Sequence, residues 1–104
     1  MSEGDDLVRV LATLANPHRL RVVAALAGGR NYVSDLARQL QISRPLLQVH
    51  LKKLEAAGLV SASLELSEDG KAMKFYELVP FDLRLTPQLV AGIAPTLTEK
   101  GPEQ

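Results

Sequence analysis

The feature that most constrains this fold is a pair of short amphipathic helices joined by only three residues. The first helix is expected to begin at Ser34, an N-cap residue type, and to place its apolar residues on one face. Residues 41–43 connect it to a second helix over residues 43–57, with Ile42 as an apolar plug in the turn and Ser43 as the N-cap. This spacing predicts a helix-turn-helix over residues 34–58.

Two more helices are predicted before this unit. Residues 5–15 carry apolar side chains at helical spacing. Asn16-Pro17 combines an N-cap residue with a proline that suits the first helical position, so a second helix starts there. Gly28-Gly29 stops it, and residues 32–33 form a short strand or extended link.

After the helix-turn-helix the apolar period changes from helical to alternating. Val60, Ala62, Leu64 and Leu66 alternate with polar residues, which predicts a half-buried strand. A turn containing Asp69-Gly70 leads to a return strand, so residues 59–79 form a hairpin, the wing.

A last helix is predicted over residues 86–94, because Thr86-Pro87 repeats the N-cap and proline pattern. Residues 96–104 form a polar tail that we expect to fray. The length suits one domain over residues 1–104. The predicted fold is α+β, mostly helical with a small hairpin. It is a winged helix-turn-helix in the order α-α-(β)-α-α-β-β-α.

Three segments together carry a family resemblance: LANPHRL at residues 14–20, HLKKLEAAGLV at 50–60, and the hairpin end FYEL at 75–78. The chain resembles the ArsR-like winged helix-turn-helix transcription regulators over roughly residues 5–80. This resemblance implies a homodimer, by family habit a repressor. It also implies that the fourth helix, residues 43–57, enters the major groove while the wing contacts the flanking backbone. The family's position for a packed, hydrogen-bonded histidine falls on His50.

The sequence departs from the metal- and thiol-sensing members of that family. It contains no cysteine, and residues 83–97 contain no histidine. The two histidines, His18 and His50, are far apart along the chain and have no carboxylate at ligand spacing. We therefore predict no metal site and no cofactor, and the sequence points to no particular effector.

The predicted DNA contacts lie mainly on the fourth helix. Arg44, Gln48 and Lys52 recur every four residues, opposite the leucine seam. Arginine suits guanine, glutamine suits adenine, and lysine suits a phosphate or guanine. Leu46 and Val49 on the same arc are expected to touch thymine methyl groups, or else to form a protein-binding patch. Further candidates for contacts with DNA are Pro45, Lys53, Arg30, Arg38, Lys71 and Lys74.

The dimer interface is predicted at the two ends of the chain. The first and last helices carry more apolar side chains than one small core can cover. The residues expected to make this contact are Leu7, Val8, Leu11, Leu14, Leu89, Val90 and Ile93.

Charge leaves a second function open. The chain has 12 basic and 12 acidic residues, which is unusual for a protein that neutralises phosphates. Glu65, Glu68 and Asp69 also crowd the tip of the wing. The alternative to a double-stranded DNA-binding regulator is therefore a winged-helix protein-interaction module with little or no DNA affinity.

Other classes of protein are disfavoured. No nucleophile stands beside a base, so an enzyme is not expected. No apolar run approaches the ~18 residues of a membrane span. The acidic N-terminus does not resemble a signal peptide, so the expected location is the cytoplasm.

Overall fold

The computed structural model describes residues 2–98 and contains five α-helices and a three-stranded sheet in that range. The predicted α+β fold and its element order are confirmed. The elements are α1 (Glu3–Leu14), α2 (Pro17–Ala27), β1 (Asn31–Tyr32), α3 (Val33–Leu40), α4 (Arg44–Ala56), β2 (Val60–Leu66), β3 (Ala72–Leu78), α5 (Pro87–Ile93) and a 3₁₀ turn (Ala94–Thr96).

The core lies between α2, α3, α4 and the base of the hairpin. Its fully buried side chains come from three helices, because each helix turns one apolar stripe inward. Leu59, Val60 and Tyr76 close the core from the sheet side. The side chains with no exposed surface are Val22, Leu36, Leu47, Leu51 and Leu54.

Three of the predicted helix starts are confirmed and one is wrong. The side chains of Asn16, Ser43 and Thr86 each accept a backbone hydrogen bond at the start of α2, α4 and α5. Ser34 does not cap α3, which starts one residue earlier from an extended Tyr32 without a side-chain cap. The Asn31 side chain organises this start instead, since it accepts from the Tyr32 amide and donates to Asp35.

The turn of the helix-turn-helix closes through a left-handed residue. Gln41 has a φ of 56°, and the amides of Gln41 and Ile42 donate to the carbonyls of Arg38 and Ala37. These bonds satisfy the last carbonyls of α3. Ile42 packs against the core cluster, as predicted for the plug residue.

The hairpin pairs as predicted but is less buried than its alternation implied. The strand order is β1-β3-β2, with β3 antiparallel to both neighbours. Val60 is buried and Ala62 partly buried, whereas Leu64 and Leu66 are 72% and 77% exposed. The expectation of a half-buried strand was wrong beyond Ala62, because the distal half of the ribbon extends past the core.

The two ends of the described chain pack together outside the core. The α1 amide of Gly4 donates to Thr96 Oγ1 at 2.7 Å, and the Thr98 amide donates to Asp5 Oδ1 at 3.0 Å. The predicted frayed tail was therefore wrong for residues 96–98, and its remaining residues, 99–104, lie outside the described range.

The described chain is elongated. Its radius of gyration is 16.3 Å and its extents are 53 × 22 × 21 Å, whereas a compact domain of this length has a radius near ~13 Å. Helix α1 packs Val10 and Leu14 against the core, whereas α5 contributes no buried residue. No helix within residues 2–98 has the length and apolar character needed to cross a bilayer.

Candidate nucleic-acid interface

Helix α4 presents an exposed face because its leucines are turned into the core. Leu47, Leu51 and Leu54 have no exposed surface, so side chains on the other side of the helix point outward. The Ser43 hydroxyl accepts from the Leu46 amide and fixes where this helix begins. Seven residues predicted to contact DNA are exposed on α4: Arg44, Pro45, Leu46, Gln48, Val49, Lys52 and Lys53.

Three of these residues lie beside the wing. Arg44 and Gln48 line a surface groove of about 260 Å³ together with Lys74 of β3. Gln48 and Lys52 line a second groove of about 350 Å³ that also includes Lys74. The Lys74 ammonium lies 5.5 Å from the centre of the Tyr76 ring, a cation–π contact that orients it. We call Arg44, Gln48, Lys52 and Lys74 the α4–wing surface.

Lys53 lies on a different side of α4 from Lys52. It lines a groove of about 310 Å³ with Arg9 and Arg19, between α4 and the first two helices. In the sequence, Lys52 and Lys53 are neighbouring candidates for contacts with DNA. The structure separates them, because adjacent residues on a helix point about 100° apart.

Two of the other predicted phosphate contacts are already paired with carboxylates. The Arg30 guanidinium bonds both oxygens of Glu65 and lies 4.5 Å from the centre of the Phe75 ring. This hydrogen bond to Glu65 raises the pKa of Arg30 and lowers that of Glu65. Arg38 Nη2 donates to Asp35 Oδ1 at 2.7 Å. Both arginines therefore form exposed ion pairs with carboxylates in this structure.

The wing carries its acidic residues at the turn and its lysines on the return side. Lys71, predicted to contact phosphate, is exposed directly after the turn. The Ser67 hydroxyl bonds Asp69, which lowers the pKa of that carboxyl and keeps it charged. Glu68 is exposed next to it. The tip of the wing therefore presents negative charge.

His50 is a buried residue of the helix-turn-helix, as expected. It is 6% exposed, and its Nδ1 lies 3.3 Å from Arg19 Nη1. Burial, followed by the charges of Arg19, His18 and Lys53, lowers the pKa of His50. Its Nε2 has no hydrogen-bond partner within residues 2–98.

The structure brings the two histidines together, which their sequence separation did not suggest. The ring centroids of His18 and His50 are 5.3 Å apart. Arg19 was also missed by the sequence analysis. It holds this cluster to α1 by donating from Nε to the Thr13 carbonyl. Within the described part of the chain, no three His, Cys, Asp or Glu side chains are arranged to hold a metal ion.

The predicted dimer residues divide into three groups. Leu14 is partly buried and packs against the core cluster, so it is the least available of these residues for a dimer contact. Val8, Leu11 and Val90 are exposed. The other three, Leu7, Leu89 and Ile93, line a groove of about 420 Å³. The linker before α5 adds exposed apolar residues that the sequence analysis missed: Phe81, Leu83 and Leu85.

Comparisons with known proteins agree with this architecture. The family model of the arsR family of bacterial regulatory proteins matches residues 16–62. An uncharacterized HTH-type transcriptional regulator of Methanocaldococcus jannaschii is 32% identical over 85 residues, which covers 82% of this chain and 88% of that protein.

Solved structures with the same fold include two regulators. One is the homodimeric winged helix-turn-helix DNA-binding domain of a possible ArsR-family regulator from Mycobacterium bovis. It has a TM-score of 0.64 and 28% identity over 71% of this chain and 64% of that one, slightly less than two thirds of its length. The other is the transcriptional repressor BigR from Xylella fastidiosa. It has a TM-score of 0.63 and 27% identity over 88% of this chain and 82% of that one.

The matched family segment spans the whole helix-turn-helix and the first residues of the wing, and the relative extends the match over most of the chain. The chain belongs to the ArsR family of DNA-binding, winged helix-turn-helix transcription regulators.

Proposed function

We propose that this protein is a homodimeric repressor that binds specific double-stranded DNA sequences, with α4 in the major groove and the wing on the flanking backbone. The observation that carries the proposal is the α4–wing surface. Within residues 2–98, no carboxylate pairs with Arg44, Lys52 or Lys74, whereas Arg30 and Arg38 are both paired. Cations without a carboxylate partner can contact DNA phosphates, and the exposed glutamine beside them can contact a base edge.

The positions along α4 suggest how the contacts divide. Arg44 and Gln48 lie in the N-terminal half of the helix, the part that contacts base edges in helix-turn-helix proteins. An arginine can bond guanine O6 and N7, and a glutamine can bond adenine N6 and N7. Lys52 is one turn further on and Lys74 lies across the groove, so both are assigned to phosphates.

The apolar surface of the terminal elements supports a dimer. Helix α5 has no buried residue, and the exposed apolar residues on α1, the linker and α5 would be covered by a second copy. The Mycobacterium bovis relative is homodimeric, which supports a homodimer here. The Xylella fastidiosa relative is a repressor, which supports repression of transcription here. A two-fold pair would place two α4 helices against two half-sites.

A selection experiment tests the proposal. The wild-type protein is used to enrich duplexes of about 30 bp, long enough for two half-sites, from a random library. We expect an inverted repeat to emerge and to bind at least about 10³-fold more tightly than unselected DNA. Enrichment of no common sequence, together with equal affinity for selected and unselected duplexes, would contradict the proposal.

A second candidate function is supported by two exposed apolar residues. Leu46 and Val49 are 39% and 50% exposed on α4, and the formal net charge of the chain is zero. A protein-docking module would use this patch instead of the cations. In the selection experiment it would show weak binding to all duplexes, and neutralising Arg44 would not change that binding.

A further inference from the structure

The distal half of the wing exposes two leucines more fully than any other large apolar side chains in residues 2–98. Leu64 is 72% exposed and Leu66 77%, whereas the next value, for Leu85, is 54%. Both lie on β2, on an edge of the sheet beyond the core. Keeping two leucines in water is unfavourable, so a surface that covers them would gain free energy.

These leucines lie on the same face of the ribbon as Lys74. The register pairs Leu64 with Lys74 and Leu66 with Ala72, and directly opposed residues in antiparallel strands share a face. Lys74 lines both grooves next to Gln48 of α4. The leucines therefore continue the α4–wing surface outward, while Glu65 lies on the opposite face, bonded to Arg30.

Charge around the leucines favours the face of the wing over its tip as a contact surface for DNA. Lys74 is opposite Leu64, and Lys71 comes directly before Ala72, the partner of Leu66. The turn itself carries Glu68 and Asp69, which repel phosphates. Side chains alternate along a strand, so Lys74, and not Lys71, lies on the leucine face. An apolar strip next to a lysine fits a groove that has apolar walls and a phosphate rim.

We propose that Leu64 and Leu66 enter the minor groove beside the recognition site, while Lys74 contacts a phosphate at its edge. This inference rests on the proposed DNA-binding function. Apolar side chains in the minor groove unstack base steps and bend the duplex. The wing therefore selects easily deformed flanking steps such as TA, a preference that α4 cannot supply from the major groove.

The test compares a double variant, Leu64→Ser with Leu66→Ser, against Leu20→Ser. Leu20 is 53% exposed on α2, so the control removes a similar exposed leucine away from the wing. Binding is measured by fluorescence anisotropy on the selected duplex. We expect about tenfold weaker binding for the double variant, about 1.4 kcal/mol, with no change for Leu20→Ser. The salt dependence of binding stays the same, because no phosphate contact is lost. Thermal unfolding checks that both variants remain folded.

A modified duplex shows whether the leucines act in the minor groove. Replacing the flanking adenines by 2,6-diaminopurine adds an amino group to the minor groove and leaves the major-groove donors and acceptors unchanged. We expect this to weaken wild-type binding and to have no further effect on the double variant.

The outcomes separate this inference from the proposed function. Wild type that fails to prefer the selected duplex contradicts both. Wild type that prefers it, together with a double variant of equal affinity, overturns the minor-groove contact alone. A weakened double variant that responds to diaminopurine as the wild type does also overturns it, and assigns the leucines to a contact with DNA outside the minor groove.

Discussion

The helix-turn-helix unit and the terminal helices use apolar side chains in opposite ways. In the unit, Leu36, Leu47 and Leu51 have no exposed surface. At the ends, Val8 and Val90 are nearly half exposed, and α5 has no buried residue. This difference indicates that the unit is stabilised within one chain, whereas the ends leave apolar side chains exposed, which the proposed dimer would cover. We therefore expect changes in the helix-turn-helix unit to alter the stability of the fold. Changes at the ends should alter the oligomeric state instead.

The largest expected effect is loss of the core. Leu51→Ala removes a fully buried side chain, and we expect the free energy of unfolding to fall by about 2–5 kcal/mol, measured by urea denaturation. Leu46→Ala on the same helix is the matched control. Because Leu46 is 39% exposed, its replacement should cost less than about 1 kcal/mol. Equal losses for the two variants would show that α4 does not pack as described.

A change at the ends should separate assembly from folding. Val8→Glu combined with Val90→Glu places two charges on the exposed apolar surface of α1 and α5. We expect light scattering to give a mass near 11.3 kDa for this variant and twice that for the wild type, with the same helical circular dichroism. A wild type that is already monomeric, or a variant that stays dimeric, contradicts the division between the two regions.

A smaller effect of pH should be confined to the helix-turn-helix unit. The folded state lowers the pKa of His50 through burial and the charges of Arg19, His18 and Lys53. The unfolded chain then binds more protons, so stability is full above about pH 6.5 and falls as the pH drops below that value. We expect the Tm to decrease between about pH 7 and pH 5. His50→Gln should flatten this profile, and His18→Gln should change it less. A profile that His50→Gln leaves unchanged assigns the acid sensitivity to other groups.

The sequence predicted features that depend on neighbouring residues. The caps at Asn16, Ser43 and Thr86 are local hydrogen bonds, and residue type with a following proline or apolar periodicity was enough to find them. The α4 stripe of Arg44, Gln48 and Lys52 follows from helical spacing alone. Ser34 failed as a cap because Asn31 and Asp35 together set the start of α3.

Features that depend on tertiary contacts could not be predicted. Arg30 and Glu65 are 35 residues apart, and their pairing follows from how β1 and β2 flank β3. His18 and His50 meet only because α2 packs on α4. The alternation of apolar and polar residues in β2 correctly predicted a strand. It could not show that the strand residues after Ala62 lie beyond the core and are exposed.

We propose above all that Arg44 of α4 contacts base edges and that Lys52 contacts phosphates. The most direct test measures the DNA affinity of two variants over a range of salt concentrations. Arg44→Ala should weaken binding to the selected duplex by about 1–3 kcal/mol and relax the preference at one or two base pairs. Lys52→Ala should weaken binding to all sequences alike and lower the salt slope by about one. Arg21→Ala, an exposed arginine of α2, is the control and should bind as the wild type does. Arg44→Ala and Lys52→Ala variants that both match the wild type in affinity, base preference and salt slope would contradict the claim.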